Sequence, residues 1–168
     1  MKSYYTEHLV RQNPTGKTKG TKAAIIAGAI ILNLLLILFG GVLGGFALFV
    51  MVGVIALAIW LLKKFDLEFE YTFFDEGDLY IDKIMSQSSR KRVLVTSVKE
   101  MELVAPVNSY EVQNFQNLKT LDYSSNEPNA VVYVLVTKNK EERVKVLFEP
   151  NQKILDGMKY MAPRKVIL

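Results

Sequence analysis

The chain has 168 residues, of which 50% are hydrophobic, and its length suits one ordinary domain with a smaller appended segment. It contains no cysteine and a single histidine, His8, which excludes disulfides, cysteine zinc sites and thiol catalysis and leaves little for imidazole chemistry. Its net charge of +4 lies entirely in the first 22 residues. The remaining 16 basic and 16 acidic residues cancel, which argues against a nucleic-acid-binding domain.

Residues 1–22 form a basic tail. Within it, residues 3–12 predict a short helix that lies on the membrane surface, since Tyr5, His8, Leu9 and Gln12 fall along one side. The turn residues 13–16 end this helix. Three lysines follow and are expected to contact anionic lipid headgroups: Lys17, Lys19 and Lys22.

Residues 23–62 carry no charge and predict a transmembrane hairpin. One span needs about 20 apolar residues, so this stretch fits two. The break at Gly40-Gly41 divides it into helices at about residues 23–39 and 42–62. A cleaved signal peptide is excluded because its apolar core is far shorter.

The lysines predict the orientation of the hairpin. Lys17, Lys19 and Lys22 precede the first helix, and Lys63 and Lys64 follow the second. The turn between the helices has no charge. We therefore expect a multi-pass plasma membrane protein, and the positive-inside rule predicts that both of its termini are in the cytoplasm.

Small and polar residues in the hairpin are candidates for helix packing. GxxxG spacing, which lets helix backbones approach closely, occurs in the pairs Gly40/Gly44 and Gly41/Gly45. These glycine pairs predict either a dimerisation face or close packing of the chain's own two helices beside their turn. We favour the second interpretation. Asn33 is the one strongly polar side chain in the spans, and it can hydrogen-bond within the chain or to a partner, including a second copy.

After the membrane segment, residues 65–168 predict a β-rich domain. Residues 67–73 alternate between apolar and polar, as in a strand with one buried face, and residues 79–85 return as the second arm of a hairpin. Residues 92–98 predict a third strand. The acidic positions Asp66, Glu68 and Glu70 are interpreted as a solvated strand face rather than a cation site, since they lack a calcium-loop pattern.

The remaining residues predict shorter strands and one helix. Residues 101–117 have no clear pattern, although 102–105 fit an extension of a strand that Pro106 interrupts, and residues 118–123 predict a short strand. Residues 130–137 are apolar throughout, which predicts a central strand buried on both faces, and 143–148 pair with it. Apolar side chains at helical spacing predict a C-terminal helix over 150–162. Residues 166–168 are expected to fray or to add a strand.

This order of elements resembles the pleckstrin-homology-like (PH-like) superfold, in particular its bacterial membrane-anchored type. The likeness rests on FEYTFFDEGDLYIDKI, RKRVLV, VYVLVT and VKVLFEPNQKILDGMKYM, within residues 67–162. The whole chain is also similar to a family of small two-span bacterial membrane proteins of unknown function. The resemblance implies a sandwich or split barrel of six or seven antiparallel strands with a C-terminal helix. It also implies a binding or scaffolding role; lipid binding is not carried over.

The sequence offers binding residues but no catalytic motif. The basic run Arg90, Lys91 and Arg92 is interpreted as the charged end of a surface strand or as a contact for headgroups or an acidic partner. No GxSxG, HExxH or paired-carboxylate pattern occurs, so we expect neither an enzyme nor a cofactor. The leading hypothesis is a membrane-tethered binding module for a protein partner or the bilayer surface. The alternatives are a membrane-complex subunit that acts through its hairpin and, less favoured, an unrecognised enzyme.

Overall fold

A computed structural model describes residues 5–42, 44–86 and 88–168. The chain divides into two compact units, a helical unit of residues Pro14–Asp66 and a β unit that combines Met1–Asn13 with Leu67–Leu168. The sequence-based boundary at residue 65 therefore misses a part of the β unit that precedes the helices.

The helical unit is a hairpin of α1 (Gly16–Phe39) and α2 (Phe46–Lys63), joined through a 3-10 turn at Gly40–Val42. Both helices are long and apolar enough to span a bilayer, and Ala47 is the one buried residue in their described part. Such exposure of apolar helices indicates a membrane protein. Helix α1 begins at Gly16 rather than at residue 23, because Thr15 caps it by accepting a hydrogen bond from the Thr18 N–H at 3.4 Å.

The first sheet contains β1 (Tyr5–Arg11), β2 (Leu67–Phe74), β3 (Asp78–Met85) and β4 (Ser89–Ser97), antiparallel and in that order. Strand β1 pairs with β2 along its whole length. The predicted surface helix at 3–12 is therefore wrong over its described residues, and residues 3 and 4 lie outside them. The segment forms a strand despite the helical spacing of its residues, because pairing with β2 buries Val10 in the core.

The second sheet contains β5 (Leu103–Pro106), β6 (Lys119–Asp122), β7 (Tyr133–Asn139) and β8 (Glu142–Phe148) in the order β5-β7-β8-β6. Most neighbours are antiparallel, but β6 runs parallel to β8. The described residues thus form eight strands, where the sequence predicted six or seven. As predicted, β7 is buried on both faces, with Leu135 facing the main core and Val134 facing a smaller one.

The main core lies between the two sheets and is closed by α3 (Gln152–Met161). Asn151 caps this helix by accepting a hydrogen bond from the Ile154 N–H at 2.9 Å. Gly157 permits close packing there, because a Cβ atom on it would lie 2.8 Å from Cε1 of Phe73. The C-terminus adds to the chain's own sheet, since Val166 bridges Val104 and is 1% exposed.

Candidate functional site

The two peptide segments that connect the β unit to the helices leave it side by side. The Gln12 N–H donates a hydrogen bond to the Leu67 carbonyl at 2.9 Å, and the Asn13 N–H donates to Ser125 O at 2.7 Å. Ser125 is in turn held by Glu149, whose Oε1 accepts from its N–H at 2.6 Å and from its hydroxyl at 2.8 Å. The loop after β6 therefore fixes the end of the first sheet from which both connections depart.

Four charged side chains form a network on the outer face of the first sheet, opposite the core. We call them the arginine–carboxylate cluster: Glu70, Asp82, Arg90 and Arg92. Glu70 and Asp82 lie directly opposite each other on β2 and β3, and Asp82 also lies opposite Arg92 on β4. A bulge between Ile81 and Asp82 shifts the register, which places Arg92 on the same face as Asp82.

Each arginine of the cluster is held by a carboxylate. Arg92 donates from Nε to Asp82 Oδ1 at 2.9 Å and from Nη2 to Asp82 Oδ2 at 3.2 Å. Arg90 donates from Nη2 to Glu70 Oε2 at 2.5 Å, and its Nη1 lies 3.9 Å from Asp82 Oδ2. The hydrogen bonds that Arg92 donates to Asp82 raise the pKa of Arg92, whose guanidinium also stacks 4.3 Å from the centroid of the Tyr80 ring.

Burial within the cluster is uneven. The carboxylate side chains are 10% (Glu70) and 4% (Asp82) exposed, whereas those of Arg90 and Arg92 are 56% and 51% exposed. The arginines thus shield two adjacent acidic groups that would otherwise repel each other, and still present half of their own surface. The predicted solvated acidic face is therefore wrong at Glu70.

The remaining residues of the predicted basic run and of the predicted acidic strand face lie outside the arginine–carboxylate cluster. Lys91 is exposed on the opposite side of β4 from its two neighbours, so the run 90–92 is not a continuous basic patch. Glu68 is half-buried on β2, and Asp66 belongs to the helical unit. Asp82 was not among the predicted site residues, although pairing residues 67–73 with 79–85 as a hairpin places it opposite Glu70.

Apolar side chains on the outer face accompany the cluster. Leu9 on β1 and Val95 on β4 are 54% and 52% exposed. Tyr80 packs edge-on against Phe74, with ring centroids 4.9 Å apart. Arginine, tyrosine and exposed aliphatic groups on one sheet face suit the binding of a macromolecule more than the enclosure of a small molecule.

The three lysines predicted to contact headgroups and the two that follow the second helix lie at the open end of the helical hairpin. Lys17, Lys19 and Lys22 lie on the first turns of α1, while Lys63 and Lys64 end α2. Lys22 Nζ lies 3.3 Å from Asp66 Oδ1, and Lys64 Nζ stacks 3.5 Å from the centroid of the Trp60 ring. Lys17, Lys19 and Lys63 are exposed.

The candidate packing residues have different roles in the hairpin. A Cβ atom on Gly40 would lie 3.2 Å from the Cβ of Ala47, and Gly44 adopts a φ of +54°, so both serve the turn. Gly41 and Gly45 have open space at the Cβ position. Asn33 donates from Nδ2 to Ala29 O at 2.8 Å, while its Oδ1 is buried and has no partner among the described residues.

The described residues contain no group of three or more histidine or acidic side chains placed to hold a metal ion. The β unit does contain a pocket of 220 Å³ where the ends of β1 and β2 meet α3. Its lining is mainly apolar and includes Phe73, Gly157 and Tyr160, with Asp75 and Lys153 also present.

Comparison with known proteins identifies one family. The family model described as "Bacterial PH-like domain (DUF6106)" matches residues 2–168. No curated protein and no solved structure matches the chain. The two-sheet β unit with its C-terminal helix agrees with that description, and the match covers nearly the whole sequence, including the helical hairpin. The chain therefore belongs to the family of bacterial PH-like domains.

Proposed function

We propose that this protein is a non-catalytic binding module anchored in the plasma membrane, and that the outer face of its first sheet binds a protein partner in the cytoplasm. The observation that carries the proposal is the arginine–carboxylate cluster, in which buried carboxylates fix two half-exposed arginines beside exposed apolar side chains. Fixed arginines lose less side-chain entropy when they bind.

The strand order supports the topology of this proposal. Strand β1 precedes both helices and β2 follows them, yet the two strands pair in one sheet. Both segments must then lie on the same side of the bilayer, so the chain crosses it an even number of times. The lysines at the open end of the hairpin favour the cytoplasmic side for that sheet.

The charge of the outer face favours a protein partner over the lipid surface. Arg90 and Arg92 are balanced within the cluster by Glu70 and Asp82, so the cluster has no net charge to attract anionic headgroups. Protein interfaces, in contrast, are enriched in arginine and tyrosine beside apolar side chains. The lysines of the hairpin contribute about 1 kcal/mol each to headgroup attraction.

Anchoring makes a modest intrinsic affinity sufficient. A module held at the membrane meets a second membrane-bound protein at an effective concentration that reaches the millimolar range for short tethers. The anchor would then supply location, and the outer face would supply specificity. In the alternative hypothesis, a membrane-complex subunit, the hairpin itself would bind the partner.

The test is crosslinking in living cells followed by mass spectrometry on four full-length forms. The first is the native protein, and the second carries a foreign two-span hairpin in place of residues 14–66. The third and fourth are Val95→Lys on the outer face and Tyr160→Lys on α3, where Tyr160 is 90% exposed. Thermal unfolding of each form checks that the substitutions leave the fold intact.

We expect one protein to be captured by the native, the hairpin-exchanged and the Tyr160→Lys forms, and to be lost from Val95→Lys. Capture that depends on the native hairpin would assign the function to the membrane segment instead. Capture that survives Val95→Lys would exclude the outer face as the binding surface.

A further inference from the structure

The transmembrane hairpin contains an apolar groove with one unsatisfied polar atom. The groove has a volume of 340 Å³ and runs between α1 and α2. Its lining is aliphatic except for Asn33, whose Oδ1 is buried without a hydrogen-bond donor among the described residues. An unpaired carbonyl oxygen in hydrocarbon is costly, because neither lipid tails nor the neighbouring isoleucines can donate a hydrogen bond.

The groove has the spacing of a helix-packing surface. On α1 its lining residues Ile26, Ile30, Asn33 and Ile37 follow the alternating four- and three-residue steps of paired helices, and Ile55, Ile59 and Leu62 on α2 do the same. Side chains from another helix fit such a groove as knobs into holes. The Asn33 amide is near the middle of this surface.

We propose that the groove binds a second copy of the same hairpin, with the two Asn33 amides hydrogen-bonded to each other. An amide is self-complementary, since its N–H donates and its oxygen accepts, and a second copy carries the same amide at the same depth of the bilayer. A two-fold axis parallel to the membrane normal brings identical faces together. Turning the amide about its soft terminal torsion brings Oδ1 out of its buried position and exchanges the hydrogen bond from Nδ2 to Ala29 O for one to the amide oxygen of the second copy.

This inference is independent of the proposed role of the β unit, because it concerns residues of the helical unit alone. A second copy is favoured over a lipid chain by the unpaired oxygen, which a hydrocarbon leaves unsatisfied. The groove is favoured over the glycines at the turn as the surface of contact between the two copies. Gly40 and Gly44 already serve the hairpin's own turn.

The absence of cysteine in the sequence makes disulfide crosslinking a direct test in native membranes. Ile37→Cys places a thiol in the groove one turn from Asn33, and Leu35→Cys places one on the opposite side of α1. On mild oxidation we expect Ile37→Cys to form a covalent dimer well above the collisional level set by Leu35→Cys. Equal yields from the two positions would overturn the proposal.

Substitution of the amide tests its role in the same background. Asn33→Leu should weaken association about five- to thirtyfold, the range for one interhelical amide hydrogen bond. Asn33→Gln keeps a self-complementary amide and should preserve most of the dimer. Far-UV circular dichroism of each full-length variant reports whether the helical hairpin is intact. Undiminished crosslinking in Asn33→Leu would show that the amide does not hold the pair.

Discussion

Strand β1 should be essential to the stability of the β unit although it is separated from the rest by the helical hairpin. The comparison is between residues 5–13 joined to 67–168 by a short glycine-rich turn and residues 67–168 alone. The joined protein is expected to fold as a soluble domain, since Gln12 N–H and Leu67 O are already 2.9 Å apart. The truncated protein lacks Val10, which is 6% exposed in the core.

The size of the effect follows from that burial. Loss of a buried valine costs about 1.5–3 kcal/mol, a large share of the stability of a typical domain. At roughly 4 °C per kcal/mol for a domain of this size, the midpoint of thermal unfolding should fall by about 6–12 °C. Circular dichroism during heating and in urea measures both proteins.

Two substitutions in the joined protein separate the core contact from the strand itself. Val10→Ala removes two buried methyl groups and should cost about 1.5 kcal/mol. Leu9→Ala, at a position 54% exposed on the same strand, should change stability by less than about 0.5 kcal/mol. If residues 67–168 alone are as stable as the joined protein, then β1 is not part of the folded unit.

Three further predictions concern the core and the cluster. Gly157→Ala should destabilise the β unit by about 1–3 kcal/mol in thermal unfolding, because the new Cβ meets the Phe73 ring, despite the better helix propensity of alanine. Arg92→Ala should cost about 1–3 kcal/mol in urea unfolding by leaving the buried Asp82 carboxylate with one distant partner. Burial raises the pKa of Tyr71 in the folded state, so above about pH 10 the unfolded state loses the phenol proton first and the folded state becomes less stable relative to it. The Tyr71→Phe variant lacks this proton, so its free energy of unfolding should fall less steeply above about pH 10 than that of the native protein.

Each of these predictions has a control. For Gly157→Ala it is Lys153→Ala at an exposed position of the same helix, which should be near neutral; a rise in the midpoint for Gly157→Ala would contradict the packing argument. For the cluster, Arg92→Ala combined with Asp82→Ala should cost less than the two single changes added together. For Tyr71→Phe, urea midpoints are compared from pH 9 to 11, and parallel pH profiles would contradict the assignment.

Local periodicity predicted the elements whose pattern does not depend on distant residues. The charge-free run at 23–62 and the alternation at 67–73 were enough to predict the hairpin and β2, as the structure confirms. The apolar run at 130–137 likewise predicted the doubly buried β7. In each case hydrophobic burial alone selects the structure, so the pattern is readable in one short window.

Strand β1 could not be predicted in this way. Its sequence YTEHLVR places Tyr5, His8 and Leu9 at helical spacing and has no regular alternation of apolar and polar residues, so the local pattern does not indicate a strand. The choice is made by β2, which follows only after the whole hairpin. A pairing between segments so far apart in sequence leaves no signal in either segment alone.

The cluster was hidden for a different reason. Alternation correctly placed Glu70 on the outer face of β2, and an outer face is usually solvated. Burial arises because Arg90, two strands away, covers the carboxylate. The length of arginine side chains, and the bulge that aims Arg92 at Asp82, are properties of the assembled sheet rather than of any one strand.

The pairing of β1 with β2 also makes a sharp prediction about membrane topology. Two single-cysteine variants test it, Leu9→Cys on β1 and Val131→Cys, since both positions are exposed in the β unit. Because β1 and β2 flank the helices, both cysteines should react with a membrane-impermeant thiol reagent only after the membrane is permeabilised. Deleting α2 leaves one span, which puts the two flanking segments on opposite sides and should abolish the β1–β2 pairing with the stability it provides. If Leu9→Cys in the intact protein reacts from outside while Val131→Cys does not, an even number of crossings is excluded, and β1 cannot be a strand of this sheet in the membrane.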